Sequence, residues 1–127
     1  MDEKTAFRHE LISAWCGPAF LISFIIFWVI IGQNFPNPSP ALTAEALQAR
    51  YAENLGSIRL GFIMSMIIVV FYLPWTALLS TQMARVEGRF PVMAYLQLLG
   101  GGLTVMVVSF SAFFWVAAAF RPDQDPA

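Results

Sequence analysis

"LISAWCGPAFLISFIIFWVIIG", residues Leu11 to Gly32, carries no charge along its whole length. At about 1.5 Å of rise per residue, a helix of this length reaches roughly 33 Å, and a bilayer's hydrocarbon core is about 30 Å thick. A cleaved signal peptide would have a shorter apolar region, about 7 to 15 residues, ending at a small-residue cleavage site. This run is longer and leaves through "QNFPNPSP" with no A-x-A pattern. It reads as a retained transmembrane helix.

The rest of the chain repeats the theme. Residues Met1 to Glu10 are polar, with charges of both signs, and two further uncharged runs follow at Leu60 to Leu79 and Val92 to Phe120. The last would reach roughly 43 Å as a helix, so it must tilt, protrude or break. Of the 127 residues 58% are hydrophobic and 12% charged, whereas a soluble domain carries about 25% charge. The expected fold is an all-α polytopic membrane protein: one membrane domain, 1–127, with transmembrane helices at about 11–32, 60–79 and 92–120. The net charge of −1 gives no basic surface for nucleic acid.

Between the first two runs, the prolines of Gln33 to Pro40 favour an extended turn. A short amphipathic helix at about 43–55 is expected next, with Thr43 as N-cap, Leu42 and Leu47 at staple positions and Gly56 as terminator. Leu47, Tyr51, Leu55 and Ile58 share one face. That face suits a membrane surface or a lid over the spans, and a solvated connector fits equally. Lys4, Arg8, Arg85 and Arg89 fall on one side of the expected topology, and Arg50, Arg59 and Arg121 on the other. The positive-inside rule then favours a cytoplasmic N-terminus and an outward C-terminal "RPDQDPA" loop.

Gly100, Gly101 and Gly102 interrupt the third run. A phosphate-binding loop would require a Lys and a Ser or Thr after the glycines, but Leu103, Thr104 and Val105 follow. Close helix packing and an unwound transporter-like site remain. With no charge and no second broken span beside the triplet, packing is the preferred reading. Ser13 with Gly17, and Gly61 with Ser65, give further small-xxx-small pairs. Pro18 and Pro74 lie inside the first two spans, where each would free the carbonyl four residues earlier, at Ala14 and Val70.

Polar residues at membrane depth are Ser23, Ser65, Tyr72, Thr76, Gln97, Thr104, Ser109 and Ser111, and no ionisable Asp, Glu, Lys, Arg or His lies between the edges of the spans. Intramembrane proton relays and ion paths are built from such ionisable groups. His9 is the only histidine, so the chain alone cannot hold a bis-histidine haem, and the single Cys16 cannot form an internal disulfide. Met64 and Met66 with Cys16 could serve a soft metal, but Met is also ordinary packing material. No cofactor is expected. Trp15, Trp28, Trp75 and Trp115, with Tyr95, are candidates for interfacial belts or for lining an apolar pocket.

The stretches "LISAWCGPAF", "FYLPWTALLSTQMARVEG" and "SAFFWVAAAFRPDQDPA" give the chain a further character. On them it resembles uncharacterised multi-span bacterial inner-membrane proteins, along its whole length and as their N-terminal half. The resemblance implies a bacterial inner (plasma) membrane location and further spans after the equivalent of "RPDQDP", with Ala127 the end of a fragment. It brings no catalytic or ligand motif. The predominance of Arg, with Lys4 the only lysine, fits a GC-rich bacterial genome.

The functional expectation is a non-enzymatic, bundle-forming membrane subunit or fragment that supports assembly or transport. Its partners would be the lipid bilayer and either copies of itself or further spans. The alternative is a carrier or binding protein for an apolar small molecule, built around the kinks and aromatic residues. A membrane enzyme would need an acid or base. The candidates, His9, Glu10, Glu53, Arg59, Glu87 and Asp123, are confined to the edges and show no recognisable spacing.

Overall fold

The computed structural model describes residues 2–36 and 39–120; Arg121, Asp123 and the closing loop lie outside them. The described chain is helical: α1 (Glu3–Phe24) runs on as a π-helical turn (Ile25–Ile31), then come α2 (Ala44–Ile68), a 3-10 turn (Val69–Phe71), α3 (Tyr72–Glu87) and α4 (Val92–Ala119). Three continuous helical stretches, Glu3–Ile31, Ala44–Glu87 and Val92–Ala119, are long and apolar enough to cross a membrane. Large apolar side chains such as Ile22, Leu99, Leu103 and Phe110 are exposed around the outside. This is the surface of a helical membrane protein, since lipid rather than water can cover it at no cost.

The first span begins earlier than its uncharged run. Lys4, Arg8 and His9 already belong to α1. At its other end Gly32 donates to the carbonyl of Phe27 at 2.8 Å, an i to i−5 bond. Gln33 then stops the helix with a positive φ of 55°.

The expected short helix precedes the second span and is joined to it by a kink. Thr43 caps α2 as expected, its hydroxyl accepting from the Ala46 N–H at 3.3 Å. Bonds to its own backbone and to Thr43 hold the Glu45 carboxyl below its usual range, in the outer arm beyond the crossing. The short helix ends in a kink at the non-helical Asn54 (φ −119°, ψ 16°), two residues before Gly56, and a second helix runs from there into the crossing. A lone glycine costs a helix only about 1 kcal/mol. Burial of Ile58 and partial burial of Tyr51 and Leu55 against the core outweigh it. The face of Tyr51, Leu55 and Ile58 therefore packs on the bundle's own end, not on a membrane surface, while Leu47 stays exposed.

The prolines behave differently from each other. α1 passes through Pro18 as one α-helix. Ahead of Pro74 the helix tightens to the 3-10 turn, where the Tyr72 N–H reaches the carbonyl of Val69. Gly88 makes the turn into α4 with φ 77°, a conformation natural only to glycine. The Glu87 carboxylate then accepts the Met93 N–H at 3.0 Å, satisfying a donor in the first turn of α4. α4 runs unbroken through Gly100–Gly102, so the unwound reading of the triplet does not hold.

Candidate functional site

The spans meet at three glycines, and each allows an approach that any other residue would block. A β-carbon on Gly17 would stand 2.5 Å from Cδ2 of Trp75, joining α1 to α3. One on Gly61 would stand 2.5 Å from the Gly32 nitrogen and 2.6 Å from the Phe27 oxygen, joining α2 to the π-helical turn backbone to backbone. One on Gly101 would stand 2.1 Å from Oγ1 of Thr76, joining α4 to α3. Trp75 and Thr76 are consecutive, so one turn of α3 fills notches on two neighbours. Small residues perform this role where lipid removes the hydrophobic drive between helices.

The remaining candidates divide. Ser65 is fully buried and bonds within its own helix, its hydroxyl donating to the Gly61 carbonyl at 2.7 Å. Pro74 precedes the Trp75 that covers Gly17, whereas Pro18 is exposed. Gly100 and Gly102 face open space, so only the middle glycine of the triplet packs within the chain. Along α4 the buried positions are all small: Ala94, Gly101, Ala112 and Ala119.

A polar seam runs beside the Gly101 contact. Thr76, 1% exposed, donates to the Gln97 carbonyl at 3.4 Å, and Gln97 Nε2 donates back to Thr76 Oγ1 at 3.3 Å. One turn on, Ser80 donates to the Ala94 carbonyl at 2.6 Å. No buried side-chain N or O among the described residues lacks a partner. Ser80 was absent from the sequence-based candidates, although the Thr76–Ser80 spacing of four is itself a small-xxx-small signal.

Above the seam the packing is aromatic. Trp28 meets Phe62 edge-on at 5.0 Å, Phe62 stacks on Trp115 at 5.4 Å, and Trp115 stacks on Tyr51 at 6.1 Å. Three of the four tryptophans thus hold helix to helix, while Trp15 and Tyr95 remain exposed. Met66 packs against the same cluster. The described residues contain no group of three or more His, Cys, Asp or Glu placed to hold a metal ion.

Polar groups close both ends. At one, Arg59 donates from Nε (3.1 Å) and Nη2 (2.8 Å) to the Ala119 carbonyl, and its guanidinium lies 4.2 Å from the centre of the Phe120 ring. Nearby, Gln33 donates to Asn54 Oδ1 at 2.8 Å, and Arg50 donates to the Gln33 carbonyl at 3.1 Å. At the opposite end Arg85 pairs with Glu10, tying α3 to α1. Sequence reasoning missed Asn54 because nothing marks an interior helix residue as a bend, and Gln33 because it was read only as the start of the proline turn.

Comparison with known proteins finds no matching family model, curated protein or solved structure.

Proposed function

We propose that the chain is a non-enzymatic, bundle-forming membrane subunit, or part of a larger bundle, that supports assembly or transport. One observation carries the reading. The polar side chains buried in the crossing, Ser65, Thr76 and Ser80, are spent on backbone carbonyls of the bundle itself. A relay or a reaction centre would instead keep ionisable groups there. The bilayer is the first partner, and copies of the chain or further spans are the second. The outward, open Gly100 and Gly102 on α4 support such contacts.

The location is the bacterial inner membrane, with a cytoplasmic N-terminus. The Glu10–Arg85 pair supports the orientation, because it puts Lys4, Arg8, Arg85 and Arg89 at one end. Measuring the mass of the complex extracted into nanodiscs tests the assembly reading. A defined oligomer or heteromeric complex, lost on Gly100→Leu, supports it; a lone monomer in lipid contradicts it.

A second reading, a carrier for an apolar small molecule, is favoured by one groove. Leu11, Ile12, Trp15, Cys16, Ala19 and Phe71 line a space of about 340 Å³, at the low end for a ligand pocket. Saturable binding of a hydrophobic probe, abolished by Trp15→Ala, would support it, and non-saturable partitioning would dismiss it.

A further inference from the structure

The charged end of the α1–α3 contact holds a cleft unlike the apolar grooves elsewhere. It measures about 340 Å³, and its polar lining is His9, Glu10 and Ser13 from α1 with Thr81 and Arg85 from α3. Leu78 and two alanines form its apolar wall. The helix bundle needs none of these polar groups for its core. The Glu10–Arg85 pair is exposed on both sides, at 37% and 57%, and a pair so placed contributes little to stability.

The groups also retain capacity. Arg85 uses Nη2 for Glu10 and Nη1 for Gln82 at 3.3 Å, which leaves its Nε–H. Glu10 uses Oε1 alone. The Thr81 hydroxyl donates its proton to the Ala77 carbonyl at 2.8 Å, so its oxygen is left to accept. His9 and Ser13 make no side-chain hydrogen bond among the described residues.

The cleft therefore presents a cation and an anion side by side, two ring nitrogens and a free hydroxyl, at the level where the first span leaves the membrane. Opposite charges a few ångströms apart match a ligand that carries both. The geometry points to a binding site for the headgroup of a zwitterionic phospholipid with a primary ammonium, the phosphoethanolamine class. Arg85 takes the phosphate, with donors from His9 and Ser13, and Glu10 accepts the ammonium N–H groups. Leu78 and the alanines meet the start of the glycerol and acyl portion. A choline headgroup keeps the charges but has no N–H to give Glu10. A glycerol headgroup keeps the phosphate but has no cation.

The site rests on the reading of the helices as membrane-crossing, and its test is separable from that reading. The full chain is reconstituted in nanodiscs of phosphatidylcholine containing about equal minor fractions of phosphatidylethanolamine and phosphatidylglycerol. It is then re-extracted gently, and the retained lipid is quantified. One charge-assisted hydrogen bond gained corresponds to about fivefold. Phosphatidylethanolamine should be enriched by about that factor over the other two, Glu10→Gln should remove the enrichment, and Arg85→Gln should abolish retention of all three. Thr5→Ser, outside the cleft, should change nothing. Equal retention of the three lipids, preference for phosphatidylglycerol, or an enrichment indifferent to Glu10→Gln overturns the site. So does binding of soluble phosphoethanolamine with no lipid enrichment. Helical circular dichroism and carbonate-resistant membrane association of each variant report separately whether the chain still folds and inserts.

Discussion

The Trp75 indole covers Gly17 so closely that a β-carbon there would stand 2.5, 2.7 and 2.9 Å from three of its ring atoms. The next residue, Thr76, does the same to Gly101. The centre of the bundle is thus one dipeptide of α3, with α1 on one side and α4 on the other. Pro74 precedes it, and the tightened Val69–Phe71 turn lies just before that. Where two backbones must approach, the missing side chain is the structural element.

From these contacts Gly17→Ala and Gly101→Ala are expected to destabilise the bundle by about 1–3 kcal/mol each, the usual effect of overpacking. Gly100→Ala meets open space and should be neutral, or stabilising by up to about 1 kcal/mol through helix propensity. Reversible unfolding in mixed micelles, titrated with a denaturing detergent, measures all three. Equal effects at positions 100 and 101 would refute the assignment of the faces.

The Thr76–Gln97 pair should show modest coupling. Each residue donates once to the other across α3 and α4, and such pairs in membrane proteins average about 0.6 kcal/mol with a ceiling near 1.7. A double-mutant cycle with Thr76→Val and Gln97→Leu reads the Gln97 Nε2 to Thr76 Oγ1 bond, since the Gln97 carbonyl that accepts from Thr76 is backbone and survives the substitution. Additive effects would show that the Gln97 side chain contributes only packing to the seam.

Arg59 fixes the last turn of α4 through two bonds to one carbonyl. Arg59→Gln should cost about 1 kcal/mol locally and speed amide exchange in the final turn. Arg59→Lys should not restore protection fully, because an ammonium lacks the planar fork that delivers both donors. Unchanged exchange in Arg59→Gln would dismiss the cap.

Asn54 couples the bend of α2 to the preceding loop. Its amide donates to the Arg50 carbonyl at 3.1 Å and its oxygen accepts from Gln33. Asn54→Ala should lose about 1 kcal/mol of hydrogen bonding and favour a straighter arm, pulling Tyr51 off Trp115. A shift in tryptophan emission checks this, and an unaltered spectrum would assign the bend to packing instead.

Much of this architecture could be read from the residues, and the reasons are physical. Uncharged runs of membrane length left no alternative to three apolar helices, and Gly17, Gly61 and Gly101 were legible because small residues have few other uses inside a span. Direction was not legible. Periodicity gives faces but not partners, so the inward Gly101 could not be told from the outward Gly100 and Gly102. The π-helical turn was also hidden, because "IIFWVII" reads the same in either helical register. The turn packs against Gly61, whose bare Cα admits the Gly32 backbone from a distant part of the chain. The place of the kink, at Asn54 rather than at Gly56, and the packing of Tyr51 and Leu55 on the core depend on tertiary contacts that no local pattern encodes.

The membrane crossing of the first two spans is tested most directly by one-sided labelling of single cysteines in a Cys16→Ser background. Thr5→Cys and Arg89→Cys sit at the end closed by Glu10 and Arg85, and Ala46→Cys sits in the arm at the other. In sealed vesicles an impermeant maleimide should label positions 5 and 89 from the same side and position 46 only from the opposite side. Labelling of all three from one side would contradict the account.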